Sequence, residues 1–227
     1  MENSAVKEPD VKVIKILQPG GRVFAVVRVI EHETGKVILK DFSRSSWLFQ
    51  RTIGRFLARR ETRAYRRLEG LAGVPRLIGR VSPHGVLLEY VAGTNCRNAP
   101  PRDFSQEFFN DTKELLSEVR RRGVLHCDVA GNLVMGSDAK PWLVDFASAV
   151  IVPRGLGPVG SFLRNLRSQY DERAVLKMKR RRAPHLLSPQ EAEQSRRLLP
   201  LERCLKAGER ILKRTIGWLS RYDRTVF

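Results

Sequence analysis

The sequence predicts an α+β protein of two lobes, and three observations carry that prediction. Three β-branched, apolar runs open the chain at residues 11–17, 23–30 and 37–42, with turn-forming residues between them. A helical pattern and two more strand-like runs follow. Beyond residue 104 the chain reads mainly as helices around a few short strands, so sheet and helix are segregated along the sequence.

The elements follow in order. Residues 1–10 form a loose polar tail. QPGGR joins the first two runs as a hairpin, and HETGK leads into the third. Residues 51–71 read as a helix, because Ile53, Phe56, Leu57, Ala64, Leu68 and Leu71 recur mostly at spacings of three, four or seven. Residues 74–81 and 85–91 are two further strands around SPHG. Asn, Cys, Pro and Gly crowd residues 93–101, which marks an interlobe connection. The first lobe is therefore 11–92 and the second 93–227. A helix is expected over 104–122, with Asp103 and Gln106 as its capping box and Gly123 at its stop. Short apolar segments follow (GVLHCDV, NLVMG, PWLVDFASAV), with Trp142 and Phe146 expected in the core. Ser188-Pro189-Gln190-Glu191 is a helix start, and 201–219 carries a last amphipathic helix.

Composition narrows the classes. The 227 residues are 42% hydrophobic and 29% charged, the mixture of a globular protein. No apolar run approaches the roughly 20 residues that span a bilayer. The N-terminus is polar, without a signal-peptide core. Cys96, Cys127 and Cys204 are odd in number and far apart, which excludes a disulfide framework and a zinc cluster and points to a reducing compartment. A cytoplasmic location is expected, with peripheral contact at the inner membrane face. The net charge is +18, and residues 151–227 alone carry +11. Residues 44–67 hold eight arginines against the single acid Glu61. Such a field attracts an anionic partner, although any one patch, such as Lys177–Arg182, is ordinarily a solvated face. Aromatics are only 7%, and no zinc finger or RNA-recognition signature is present, so nucleic acid is disfavoured.

Three polar residues stand in apolar surroundings: Lys40 at the end of Val37-Ile38-Leu39, Glu61 on the apolar side of its helix, and Asp145 after Trp142-Leu143-Val144. A carboxylate in such a place needs a cation, and a lysine from a neighbouring strand supplies one. Each alone is more often a structural ion pair or an edge residue. Together with His126-Cys127-Asp128, Asn132 and Asp145-Phe146-Ala147 they form four ordered elements: Lys in a strand, Glu in the next helix, H-x-D…N, and D-F before a small residue.

At these residues the sequence resembles the protein-kinase-like superfamily. It is most similar to the small bacterial branch of lipopolysaccharide core (Kdo and heptose) kinases and their RIO-like relatives. The resemblance covers residues 11–150 by motif. It implies a two-lobed protein-kinase-like fold with an N-terminal antiparallel sheet plus one helix and a mainly helical C-terminal lobe. It also implies ATP and Mg²⁺ as cofactors and transfer of the γ-phosphoryl group to a hydroxyl. Lys40 would hold the nucleotide phosphates, with Glu61 keeping Lys40 in place. Asp128 would orient the acceptor hydroxyl and take its proton. Asn132 and Asp145 would bind Mg²⁺, a hard cation that prefers oxygen. The backbone of the segment Leu88-Glu89-Tyr90-Val91, with Glu89 and Val91 as its markers, would bind adenine. His126 would support the loop structurally.

The departures shape the expectations. No G-x-G-x-x-G loop is present, and Pro19-Gly20-Gly21 is either a phosphate-approaching turn or a plain hairpin turn. Asn132 comes one residue early after Asp128, Cys127 stands where many protein kinases have arginine, and Ala147 replaces glycine. Asp171 is either a brace for the catalytic loop or a solvent-facing helix residue. His84 and His185, each after a proline, are expected on the surface. Only the segment from Val150 to Gly160 precedes the next helix, with no A-P-E motif. That favours a small acceptor, an inner-core sugar on an anionic glycolipid, over a protein Ser/Thr. A catalytically weak pseudokinase or adaptor and a basic nucleic-acid-binding protein are the alternatives.

Overall fold

A computed structural model describes residues 12–21, 25–33, 35–43, 53–152 and 157–196, except for the side chains of 158–168 and 196. The last helix expected at 201–219, and Cys204, lie outside the described residues.

The N-terminal runs form a five-stranded antiparallel sheet in the order β1-β2-β3-β5-β4. The strands are β1 (Val13–Gln18), β2 (Val26–His32), β3 (Gly35–Asp41), β4 (Leu77–Ser82) and β5 (Gly85–Glu89). The second strand starts three residues later than expected. Gly20 precedes it at φ +81°, and a Cβ there would come within 2.6 Å of Val26 Cγ2. β3 lies at the centre, with Lys40 opposite Val27 on β2 and Val86 on β5.

Helix α1 (Arg55–Arg67) buries Ala58, Glu61, Thr62, Ala64 and Tyr65 and packs against β4, β5 and the 3₁₀ turn Phe146–Ser148. The expected face is the buried one, with Ala64 and Leu68 in the core and Ile53, Leu57 and Leu71 packed against it; Phe56 is the exception. Phe56 is 58% exposed and sits against Arg60, 5.7 Å from the ring centroid to the guanidinium. The small residues Ala58 and Ala64, both fully buried, let the helix approach closely.

The segment expected as an interlobe loop, residues 93–101, contains a strand. Its β6 (Gly93–Asn95) pairs with β8 (Leu133–Gly136), which pairs with β9 (Pro141–Leu143). The close approach requires glycine, since a Cβ at Gly93 would lie 2.2 Å from the Met135 carbonyl. Helix α2 (Gln106–Arg121) is capped by Ser105, whose Oγ accepts from Phe108 N at 3.0 Å. The expected Asp103 cap is displaced because Pro101–Asp103 forms its own 3₁₀ turn and Phe104 then runs extended. β7 (Val124–Leu125) and β10 (Val150–Ile151) form a two-stranded ribbon.

Two long-range polar ties end α1 and α2 against each other. Arg67 Nε donates to the Arg122 carbonyl at 2.7 Å and Arg122 donates to the Glu69 carbonyl at 2.6 Å.

Helix α3 (Gly157–Arg182) and helix α4 (Pro189–Arg196) complete the described fold. α4 starts as expected: Ser188 Oγ accepts from Glu191 N and Glu191 Oε2 accepts from Ser188 N, both at 3.2 Å. The basic run Lys177–Arg182 is not a solvated face. Lys179 is 1% exposed, donates to Gln106 Oε1 (2.9 Å) and Glu191 Oε2 (2.7 Å), and lies 5.5 Å from the Phe109 ring centroid. Arg180 and Arg182 reach the Ser195 and Ala99 carbonyls. α3 packs between α2 and α4, so cations on its inner face must find oxygens. Phe146 is in the core as expected, but Trp142 is only half-buried, because β9 directs Leu143 inward and Trp142 to the other side. His185 is exposed and His84 half-buried at the β4–β5 turn, where its carbonyl accepts from Phe42 N. Among the described residues, no helix is long and apolar enough to cross a membrane.

Candidate active site

A cavity of about 310 Å³ lies under the five-stranded sheet, between it and the C-terminal elements. Its apolar walls are Leu17, Val27, Ile38 and Leu88 from the sheet and Val134 and Val144 from below. Glu89, Tyr90 and Val91 close one side, and Lys40, Glu61, Asn132 and Asp145 line it as well. A flat apolar slot with polar groups at one end is the ordinary form of a small-molecule pocket.

The three isolated polar residues meet there. Lys40 Nζ donates to Glu61 Oε1 at 3.1 Å and to Asp145 Oδ1 at 2.5 Å. Glu61 is fully buried and Lys40 nearly so, while the Asp145 side chain is 45% exposed on the cavity side. Burial works against the Lys40 charge, yet the two carboxylates hold its ammonium above the ordinary lysine value. Burial pushes the Glu61 carboxyl up to about 7 against the pull of Lys40. Burial also opposes ionisation of Asp145, but Lys40 and the Ala147 N–H bring its carboxyl below the usual range.

The local chain explains this convergence. Lys40 points inward from the central strand, and Glu61 faces it from the second turn of α1. Asp145 adopts left-handed backbone (φ +60°), an uncommon conformation for a residue with a Cβ. It is fixed there by its N–H donating to the Tyr65 hydroxyl at 3.1 Å and by its carboxylate accepting from Ala147 N at 3.2 Å. Tyr65 also meets Phe146 edge-on at 5.0 Å, and Arg60 Nε donates to the Ala147 carbonyl at 2.9 Å. Ala147 itself needs no positive φ, so the missing glycine costs nothing here.

The second acidic group stands at the rim. Asp128 is exposed and does not line the cavity, but Asn132, which does, donates from Nδ2 to the Asp128 carbonyl (2.9 Å) and to its Oδ2 (3.2 Å). The short Asp128–Asn132 spacing thus keeps the two side chains together. His126 is fully buried against Phe146 (4.7 Å), with Nε2 on the Val144 carbonyl at 2.9 Å and Nδ1 accepting from Asp128 N at 3.2 Å. Both ring nitrogens hold backbone, as a structural residue requires. Cys127 between them is left-handed (φ +71°). Asp171 is 3% exposed on α3, which packs against the Val129–Gly131 turn, and this removes the solvent-facing alternative.

Sequence reasoning missed Tyr65, Asn95 and Arg97. Tyr65 was detectable, because it lies four residues after Glu61 and so shares its face. Asn95 Nδ2 donates to the Gly131 carbonyl at 2.9 Å and Arg97 Nε to the Ala130 carbonyl at 3.1 Å, so the connector clamps the loop after Asp128. A Cβ at Gly131 would lie 2.6 Å from the Arg97 guanidinium and 3.3 Å from Asp128 Oδ1. No periodicity marks such loop residues.

One carboxylate (Asp145) and one amide oxygen (Asn132) suit Mg²⁺, which takes few protein ligands and fills its remaining positions with water and phosphate. Lys40 engages Oδ1 of Asp145. No cluster of three or more His, Cys, Asp or Glu residues that could form an all-protein metal site exists among the described residues.

Comparison with known proteins identifies the family and the fold. The family model for the RIO domain matches residues 5–155. No curated protein matches the sequence. The fold is similar to the crystal structure of the Rio2 kinase from Chaetomium thermophilum, with a TM-score of 0.57 and 16% identity over 81% of this chain and 62% of that one. It is also similar to the Rio2 kinase–ADP/Mg²⁺–phosphoaspartate complex from Chaetomium thermophilum, with a TM-score of 0.52 and 16% identity over 83% and 60%. The chain thus spans about three fifths of the length of these solved structures. The fold is kinase-like, as the motifs led one to expect.

Proposed function

The chain belongs to the RIO domain family, and from that premise we propose that it is an ATP- and Mg²⁺-dependent kinase transferring the γ-phosphoryl group to a hydroxyl. The observation that carries the proposal is the convergence of Lys40, Glu61 and Asp145 at the polar end of an apolar slot. The sheet walls, Val134 and Val144, with the Glu89–Val91 segment beside them, would hold the adenine. Lys40, oriented by Glu61, binds the phosphates. Asp145 and Asn132 would hold Mg²⁺, which supplies neutralisation of phosphate charge when bound. Asp128, tied to Asn132 but open to solvent, orients the acceptor hydroxyl and takes its proton. His126 takes no proton, since both nitrogens are engaged with backbone.

The acceptor is a protein Ser/Thr hydroxyl or an inner-core sugar. Membership in a family that includes the Rio2 kinases supports the first. The short stretch between Asp145 and the start of α3 at Gly157 supports the second, because it leaves little chain for a peptide groove. Radiolabel transfer from ATP into the protein, lipid and sugar fractions of a lysate decides between them. We expect one fraction to be labelled by wild type and not by Asp128→Ala or Asp145→Ala. Equal background labelling by all three would remove the kinase assignment.

A further inference from the structure

The outer face of α1 has no part in the site just described. At about 100° per residue, Arg55, Arg59 and Arg66 fall roughly opposite Glu61 on the helix, and all three are exposed. Arg80 of β4 reaches the same place, and its guanidinium is fixed by a hydrogen bond to the Pro83 carbonyl. Arg55, Arg59 and Arg80, with Val81, Ser82 and Pro83, line a second cavity of about 350 Å³.

Like charges at this spacing weaken a helix, and the adjoining sequence supplies no acid beside Arg55 and Arg59 that faces outward with them. Between Asp41 and Glu61 there is no acidic residue, nor between Glu69 and Glu89. Glu61, the acid of this helix, is turned inward and fully buried. Partial burial, then Arg59, Arg66 and Arg55, hold Arg80 below the ordinary arginine value. Guanidinium groups drawn from two elements around a hollow, with no carboxylate among its described lining residues, repel one another and suit an anion that brings them together.

We propose that Arg55, Arg59 and Arg80 form a phosphate-binding site on the outer face of α1, separate from the nucleotide cavity. Its ligand is a small molecule or a lipid headgroup bearing a terminal phosphate. The planar forks of Arg59 and Arg80 bind phosphate oxygens in pairs, and Arg55 closes the helix side. Ser82 Oγ already accepts from His84 N at 3.1 Å, so its O–H is left to donate to a further oxygen. Val81 and Pro83 form an apolar edge for the carbon skeleton behind the phosphate.

Protection from phenylglyoxal, mapped residue by residue by mass spectrometry on the full chain, tests this without a variant that must fold. One arm uses inorganic pyrophosphate, one uses phosphatidylcholine vesicles containing phosphatidic acid, and one uses phosphatidylcholine vesicles alone. We expect modification of Arg55, Arg59 and Arg80 to slow about fivefold or more, as charge-assisted paired bonds imply. Arg63 on the same helix, and Arg76 and Arg102 elsewhere, should be unaffected. Protection by pyrophosphate identifies a soluble ligand, and protection only by phosphatidic acid vesicles identifies a headgroup. No protection in either arm overturns the site. So does equal protection of Arg63, Arg76 and Arg102, which is the mark of a diffuse polyanion surface, and so does protection by phosphatidylcholine alone.

Discussion

Glu61 is the residue on which the polar end of the cavity turns. It is fully buried, shares Lys40 with Asp145, and has its carboxyl raised to about 7. A raised carboxyl favours the proton in the folded state. The stability this proton contributes is full below the ordinary carboxylate range near 4.5 and is lost as pH rises through about 7. In metal-free protein, Glu61→Gln should therefore gain stability relative to wild type between pH 5 and 8, by up to about 3 kcal/mol at roughly 1.4 kcal/mol per unit. Urea unfolding at a series of pH values measures this, and a constant difference across the range would contradict it. Lys40, Glu61 and Asp145 were legible in the sequence because a charge inside an apolar run is conspicuous. Arg97 was not, because an exposed arginine in a loop has no pattern to break. Its bond to the Ala130 carbonyl makes it a positioning residue for Asp128. Losing a charged hydrogen bond of about 1.5–3 kcal/mol predicts a fall in ATP turnover of roughly tenfold or more for Arg97→Ala. Mg-ATP affinity should be unchanged, and Arg97→Lys, lacking the fork, should restore little. Loss of affinity with unchanged turnover would place Arg97 in nucleotide binding instead.

At the scale of elements, α4 shows how a short helix is held. Its Glu191 caps its own N-terminus and takes Lys179 at 2.7 Å and Lys113 at 3.2 Å, tying α2, α3 and α4 together. Burial opposes the Glu191 charge, but Lys179, the Ser188 N–H and Lys113 bring its carboxyl down to about 2. A lowered carboxyl contributes stability that is present above its ordinary value and lost as pH falls from about 4.5 toward 2. Glu191→Gln should cost at most about 3 kcal/mol at pH 7, from roughly 1.4 kcal/mol per unit less the part that solvent screens, and progressively less on acidification. Denaturant midpoints at pH 7 and pH 3 measure it, and an equal cost at both would sink the account. The capping signature of α4 was legible, since Ser-Pro-x-Glu states the geometry directly. The inward turn of Lys179 was not. Its partners, Gln106 and Glu191, are 73 and 12 residues away, and only tertiary packing brings them together. On α1 the expected face was legible except at Phe56, which is exposed while the small Ala58 is fully buried.

At the scale of the whole molecule, a sheet that carries Lys40 and a C-terminal part that carries Asp128, Asn132 and Asp145 meet across one slot. Arg60 to Ala147, Tyr65 to Asp145 and Arg67 to Arg122 fix α1 against the C-terminal part, so the helix that orients Lys40 is set by the loop that carries Asp145. The order of strands and helices was legible because the apolar period changes from two to 3.6 along the chain. The strands within the connector were hidden, since Gly93–Asn95 is too short and polar to show a period. Calorimetric titration of Mg-ATP into wild type, Lys40→Ala and Asp128→Ala tests the central claim most directly. Saturable one-site binding by wild type, at least roughly tenfold weaker for Lys40→Ala as loss of a charged contact implies and unchanged for Asp128→Ala, is the predicted result. Wild type and Lys40→Ala giving the same isotherm, or no binding by wild type, would contradict it.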